Sequence, residues 1–294
     1  MKIAQILERQ GHAFAFEFFP PKDEQSAQAL LRAIERLRGL EPAYISVTWG
    51  AGGSTRRNTL DVVEMIKSRF GIESMAHLTC VGASKADLDG ILGEIHERGI
   101  DNIMALRGDP PQGETEFVPH PDGLHNADGL VSHIKSRWDF SIGVAGYPEG
   151  HIEAPSLETD LDNLKRKVEA GADFIVTQLF FKNEDFFRFV ERARAAGIEI
   201  PILPGIMPIT NLSQIKRFTE MCGSAMPPEL LARLEPIKDD RDAVIAEGIN
   251  YSTTQCQELL EQGAEGIHFY TLNLSRAAKT ILENLRAAGV VRIA

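Results

Sequence analysis

Eight strand-like runs, beginning near His12, Tyr44, Ser74, Asn102, Ser141, Phe174, Ile200 and Gly266, alternate along this chain with segments of helical apolar spacing. The helical patterns cover Glu24 to Arg38, Ser54 to Arg69, Lys85 to Glu97, Ala127 to Arg137, Leu157 to Ala170, Asn183 to Ala196 and Asn211 to Met221, with Ser275 to Ala288 after the last strand. Strands separated by a helix pair in parallel, because the chain must cross back before starting the next one. Eight such units favour a closed (β/α)8 TIM barrel over an open doubly wound sheet. Between the seventh and eighth strands, Met226 to Gly263 is too long for a simple crossover and carries extra helical patterns at Pro228 to Leu234 and Arg241 to Gln262. No Gly/Ser/Pro-rich linker brackets it, so residues 1–294 read as a single barrel domain with an inserted helix.

Lys and Arg number 31 against 42 Asp and Glu, a formal charge of −11. A net acidic chain without a basic block argues against sequence-independent nucleic-acid binding or a membrane-surface role, and leaves room for a local cationic pocket. No stretch approaches the ~20 apolar residues of a membrane span, and Met1 to Gln5 opens no signal-peptide core. The expectation is a cytoplasmic protein. Three scattered cysteines, Cys80, Cys222 and Cys256, fit a reducing compartment and form neither a disulfide framework nor a zinc knuckle.

Side chains alternate faces along a strand, so the run His12 to Phe19 puts Phe14, Phe16 and Phe18 on one side and Ala13, Ala15 and Glu17 on the other. The aromatic side packs under helices, and Glu17 stands on the small-residue side at the C-terminal tip, where such barrels keep their chemistry. The same rule puts Ser46 and Thr48, His77 and Thr79, Ala105, Arg107 and Asp109, Gly143, Ala145 and Tyr147, Gln178 and Phe180, and His268 and Tyr270 inside. One polar strand end is ordinary; polar ends on seven of eight strands describe a ligand-holding mouth.

Several strings sharpen this. Gly50 to Thr55 is a glycine turn opening a helix, which either aims N–H groups at an anion or only needs positive φ; it lacks the third glycine of a dinucleotide fingerprint and the Gly-Lys-Ser/Thr of a phosphate loop. Asp109 to Gly123, rich in Pro, Gly and acid, reads as a long loop on the same rim. Arg107-Gly108-Asp109 sets a cation and an anion around one turn, either a local ion pair or a charge offered to a cofactor. Asp160, Asn163, Arg166 and Lys167 recur at spacings of three and four on one helix, as either a solvated face or a ligand face. His151-x-Glu153 supplies too few ligands for zinc, and no metal is assigned.

Together, Phe16-Glu17-Phe18-Phe19-Pro20-Pro21, Thr48-Trp49-Gly50-Ala51-Gly52-Gly53-Ser54-Thr55-Arg56, His77-Leu78-Thr79-Cys80, Ala105-Leu106-Arg107-Gly108-Asp109, Tyr147-Pro148-Glu149 and Thr177-Gln178-Leu179-Phe180-Phe181 resemble the methylenetetrahydrofolate reductase family over nearly the whole chain. The resemblance implies an FAD-binding barrel that reduces 5,10-methylenetetrahydrofolate to 5-methyltetrahydrofolate with NADH or NADPH in ping-pong order. It is closest to the short bacterial type, since the chain ends after one barrel, and it implies small-molecule partners and an assembly of identical subunits. Residue by residue, it makes Glu17 the general acid, on a carboxyl whose pKa an apolar site would raise. Asp109 becomes the aspartate between flavin and pterin, Gln178 a substrate-side amide and Phe218 an aromatic stacking on the ligand. The FAD positions are Thr48, His77, Arg107, Gly108, Asp109, Ala127, Ala145, Tyr147, His151, Asp160, Asn163, Arg166 and Lys167.

Two departures stand out. The family often has Thr-Leu-Asn-Arg after the eighth strand, whereas Thr271-Leu272-Asn273-Leu274-Ser275-Arg276 puts the arginine later, at Arg276; and Trp49 stands where tyrosine is common. Two other readings compete: a lysine-dependent aldolase barrel using Lys182 as a Schiff-base residue, and a barrel kept as a non-catalytic folate or flavin scaffold.

Overall fold

The computed structural model describes residues 1–9, 11–50, 56–109 and 118–291. Eight parallel strands close in sequence order: β1 (Ala13–Phe18), β2 (Tyr44–Val47), β3 (Ser74–Thr79), β4 (Asn102–Leu106), β5 (Ser141–Gly146), β6 (Phe174–Leu179), β7 (Ile202–Ile206) and β8 (Gly266–Tyr270), with β8 pairing back onto β1. The helices are α1 (Ile3–Arg9), α2 (Glu24–Arg38), α3 (Arg56–Met65), α4 (Lys85–Glu97), α5 (Ala127–Lys135), α6 (Leu157–Glu169), α7 (Asn183–Ala195), α8 (Leu212–Cys222), α9 (Pro228–Leu234), α10 (Arg241–Glu261) and α11 (Ser275–Ala287). The expected (β/α)8 barrel is the architecture found. No helix among the described residues is long and apolar enough to cross a membrane.

Alternation sorts the core into two layers. Phe14, Phe16, Phe18, Ile45, Val47, Ala76 and Leu78 pack outward against the helices. Ala13, Ala15, Tyr44, Met75, Met104, Phe174, Val176 and Leu203 fill the barrel interior. The short α1, for which the sequence gives no separate signal, puts Ile3 and Leu7 into that interior group and so lies under the barrel floor. The ring helices start where local chemistry dictates. Asp23 and Ser26 form a reciprocal capping box on α2, Ser84 and Asp87 do the same on α4, and Ser156 caps α6.

Two strands depart from the simple alternation. On β4, Ile103 and Ala105 pack outward while Met104 and Leu106 face the interior, so Ala105 is not a lumen residue as expected. The run Asn102-Ile-Met-Ala-Leu is apolar on both faces after its first residue and offers no phase to read. On β6, the register against β7 shifts between Val176 and Leu179. Phe180 therefore turns outward and stacks on Phe186 of α7 at 5.5 Å instead of facing the mouth.

The extra helical material lies between β7 and β8, as expected, and its parts divide the work. α10 packs against α7 and α11, and its Ile245, Ile249, Cys256, Leu259 and Leu260 join the outer core. It thus fills the seventh place in the helical ring. α8 and α9 instead build a separate apolar cluster with Leu179, Phe181, Met207 and Ile209 above the ends of β6 and β7. The inserted pieces are therefore α8 and α9, and α10 is the ring helix.

α10 approaches the chain after β7 closely enough that a methyl group at Gly248 would sit 2.0 Å from the Ile209 carbonyl oxygen. In an exposed helix Gly→Ala stabilises by up to about 1 kcal/mol. Here the backbone must move, so Gly248→Ala is expected to destabilise by about 1–3 kcal/mol in urea unfolding. A stabilised variant would show that α10 does not dock this way.

Candidate active site

β1 ends with Glu17 inside the barrel mouth, its side chain 13% exposed. Strand pairing sets Ser46 of β2 and Tyr270 of β8 beside it, in register on either side. One carboxylate oxygen gathers the polar contacts. Glu17 Oε2 lies 3.3 Å from His268 Nε2, 3.2 Å from His77 Nε2 and 3.5 Å from the Ser46 hydroxyl, which donates to it. The His77 contact is at ion-pair distance but too far off axis for a good hydrogen bond. Behind it, His268 is fully buried, and its Nδ1 is 3.0 Å from the Tyr44 hydroxyl.

Burial alone would raise the Glu17 carboxyl, but the charge of His77 and the hydrogen bond from His268 outweigh it and draw the group down to about 2. The expected raised pKa is therefore absent in this arrangement. The apolar surroundings are present, yet two imidazoles stand in them. Tyr44 and Tyr270 shift the other way, held protonated by burial and by the neighbouring Glu17 charge.

A second feature opens at the tips of β4 and β5. A cleft of about 220 Å3 is lined by Ala105, Leu106, Arg107, Asn126, Ala127, Asp128, Ala145, Tyr147, His151, Glu153, Ala154, Pro155, Asp160, Asn163, Arg166 and Lys167. Lys167 of α6 donates to the Ala145 carbonyl at 2.5 Å and sits 5.7 Å from the Tyr147 ring centre. Burial pulls its ammonium down to about 8 against the attraction of Asp160 and Asp128. Asp160 is itself buried, which raises its carboxyl despite the pull of Lys167 and His151. The His151 ring meets Tyr147 edge-on at 4.7 Å, and its Nδ1 accepts the Glu153 N–H, so Nε2 is left to carry the proton when the ring is neutral. Arg107 is gripped by both oxygens of Glu153, at 2.5 and 2.8 Å.

Most of the residues expected to bind a cofactor meet in this cleft: Arg107, Ala127, Ala145, Tyr147, His151, Asp160, Asn163, Arg166 and Lys167. Arg107 reaches it from the tip of β4, although that strand's phase makes it no lumen residue. His77 stands apart, next to Glu17, and Thr48 lies at the tip of β2, where its carbonyl accepts the Thr59 hydroxyl. Gly108 turns the chain after β4 with φ 93, and Asp109 beyond it is exposed. Gln178 is the penultimate residue of β6, with its Oε1 accepting the Leu179 N–H at 2.8 Å. Phe218 belongs to the α8–α9 cluster, together with Tyr270. Arg276 opens α11 and is 73% exposed, 3.7 Å from Asp242. Lys182 is exposed at the N-cap of α7. The glycine run at 51–55 and the loop section at 110–117 lie outside the described residues.

Three site residues were given no specific role: Tyr44, His268 and Glu153. Alternation had already placed His268 inside the barrel, and Tyr44 shares lumen parity with Ser46, so the same signal was available for it. Glu153 had none, because its pairing with Arg107 spans 46 residues.

A carboxyl held near 2 in the fold and near 4.5 when exposed stabilises the protein above about pH 4.5, and that contribution is lost as pH falls toward 2. Glu17→Gln should therefore flatten the acid limb of a plot of unfolding free energy against pH, by up to about 3 kcal/mol. Parallel acid limbs for the two proteins would show that Glu17 is not held as a carboxylate.

A family model described as methylenetetrahydrofolate reductase matches residues 2–286. The chain is 45% identical over 295 residues to "Methylenetetrahydrofolate reductase (NADH) 1" of Arabidopsis thaliana, covering 97% of this chain and 50% of that protein. It is 40% identical over 281 residues to "5,10-methylenetetrahydrofolate reductase" of Salmonella typhimurium, covering 95% and 93%. The chain thus spans about half the length of the plant and yeast relatives it matches and nearly all of the bacterial ones. Among solved structures, an uncharacterized protein from Clostridium thermocellum, described as binding two copies of 5-methyl-5,6,7,8-tetrahydrofolic acid, superposes with a TM-score of 0.65 at 14% identity, covering 98% of this chain and 100% of that one. At that identity the likeness is one of fold.

Proposed function

This chain belongs to the methylenetetrahydrofolate reductase family, and from that membership we propose that it reduces 5,10-methylenetetrahydrofolate to 5-methyltetrahydrofolate with NADH or NADPH, with FAD held in the β4–β5 cleft. The observation that carries this reading is the pairing, at one end of the barrel, of a buried carboxyl–imidazole cluster with a cleft lined by three cationic side chains.

The donor set of the cleft suits FAD. Arg107, Arg166 and Lys167 complement a diphosphate, Asn163 and Asp160 offer partners for hydroxyl groups, and Ala127, Ala145 and Ala154 leave room for close approach. Lys167, whose ammonium is disfavoured by burial, gains from an anion brought beside it. FAD supplies, when bound, a two-electron relay by which nicotinamide and folate use one surface in turn, giving ping-pong order.

The chain's own task is to bind, orient and supply a proton. Glu17 is the general acid that helps open the methylene bridge of the folate. Its titration belongs to the cluster it forms with His77 and His268, so the proton it delivers is held by the group as a whole. Asp109 and Gln178 present an anion and an amide to the pterin, Phe218 lends an apolar face from α8, and Arg276 offers a rim cation to the folate carboxylates. Thr48, His77 and Gly108 complete the flavin contacts.

Anaerobic mixing tests the proposal directly. The bound flavin should bleach with NADH or NADPH and recolour on adding 5,10-methylenetetrahydrofolate. Purified protein without flavin, or reduced flavin that stays bleached with folate, would overturn it. Glu17→Gln should still be bleached by the nicotinamide, while its reoxidation by folate should fall by at least about a hundredfold.

Lys167 provides a separate check. At pH 7 its burial opposes folding, a cost that fades as pH rises from about 8 toward its unfolded value. Lys167→Met should therefore stabilise the apoprotein in urea and weaken FAD binding about tenfold or more. A variant that binds FAD as well as the parent removes Lys167 from the site.

A further inference from the structure

Three groups converge on Glu17 Oε2, from β2, β3 and β8, and no protein group among the described residues hydrogen-bonds Oε1. The carboxyl is therefore held asymmetrically, one oxygen tethered to the barrel and the other available to a ligand. His268 is the most enclosed of the three, with no solvent exposure, and it is the one with a second polar anchor. Its Nδ1 faces the Tyr44 hydroxyl at 3.0 Å, while its Nε2 faces Glu17 at 3.3 Å.

The Tyr44 end decides which nitrogen carries the proton. Tyr44 is fully buried, and both its burial and the Glu17 charge keep its hydroxyl protonated. The hydroxyl has no other hydrogen-bond partner among the described residues, so its hydrogen goes to Nδ1, and a neutral imidazole that accepts there must carry its hydrogen on Nε2. That N–H then points at Oε2. The chain Tyr44 O–H to His268 Nδ1, His268 Nε2–H to Glu17 Oε2, runs across three neighbouring strands.

We infer that His268 is a positioning residue for Glu17, set to that task by Tyr44: it tethers Oε2 and leaves Oε1 as the oxygen that takes up a proton and passes it to the substrate. The inference rests on the proposed role of Glu17 as proton donor to the folate. When Oε1 gives up its proton, the carboxylate left behind already has its donors on Oε2, so no buried group must reorganise. The groups facing Glu17 are Tyr44 and Ser46 on β2, His77 on β3, and His268 and Tyr270 on β8. Of these only the imidazoles of His77 and His268 have a cationic form, and only His268 has a second polar side chain at its other nitrogen.

The test uses the flavin-loaded protein with 13C-labelled glutamate carboxyls and 15N-labelled histidine. Glu17 is assigned by its loss in Glu17→Gln. His268 should show a protonated Nε2 and a bare, hydrogen-bonded Nδ1 in the parent protein, and a mixture of tautomers in Tyr44→Phe. Removing the donor disfavours the charged carboxyl, so Glu17 should titrate at higher pH in Tyr44→Phe and higher still in His268→Ala, with His268→Gln, which keeps an N–H donor, restoring part of the shift. The acid limb of folate-driven flavin reoxidation should move in the same direction, with a rate loss of about tenfold in Tyr44→Phe.

Unchanged tautomer and unchanged Glu17 titration in Tyr44→Phe would overturn the inference. That variant removes a single oxygen atom, so it carries the test even if His268→Ala does not fold. The two readings fail separately. If Glu17→Gln reoxidises normally with folate, the role of Glu17 in catalysis falls, whereas the NMR titrations report on the tether alone.

Discussion

The pairing of β8 with β1 closes the barrel, and the candidate chemistry depends on it. Ala13 lies opposite Gly266, where a side chain would place a methyl 1.9 Å from the Ala13 carbonyl oxygen. That contact admits only a bare α-carbon, and it fixes the register of everything downstream. Two residues on, His268 stands beside Ala15, and two further on Tyr270 stands beside Glu17. A slip of one residue would turn His268 out toward the helices and leave Glu17 buried without its principal donor. The closure that makes the fold thus also makes the carboxylate tolerable.

A buried carboxylate needs such compensation. Removing it from water opposes ionisation, and Glu17 is ionised only because imidazoles on two other strands face it. The small residues Ala13 and Ala15 beneath it leave space, and Tyr44 and His268 use that space. Side chains that fill the barrel in a packing sense therefore also set the proton affinity of the group above them. Packing and acid–base chemistry share the same layer.

Much of this was legible in the sequence, and the parts that were not have identifiable causes. The strand–helix alternation fixed fold class, and the helical spacing located α9 and the start of α10 closely, because amphipathic periods are local signals. Phase within a strand was readable where one face was small or aromatic, as in β1. It was lost on β4, where both faces are apolar, and past Gln178 on β6, where a register shift reverses the sense of Phe180. That α10 and not α8 completes the helical ring is a tertiary fact that neither helix's period records. The Glu17 carboxyl was legible as a site but not in its charge state, which depends on groups 60 and 251 residues away.

The layout of the mouth separates two electrostatic problems. β1, β2 and β8 are neighbours, and β4 and β5 lie across the barrel from them. Glu17 and His268 belong to the first side, with His77 beside them on β3, while Arg107 at the tip of β4 and Arg166 and Lys167 on α6 belong to the second. The cations of the second side stand away from Glu17, so the groups that draw its carboxyl down are the imidazoles alone. The cations are meanwhile occupied on their own side, Arg107 by Glu153 and Lys167 by the Ala145 carbonyl. A ligand that spans the mouth would place its anionic part against the cations of the β4–β5 cleft and its proton-accepting part against the Glu17 cluster, a division that follows from which elements carry which residues.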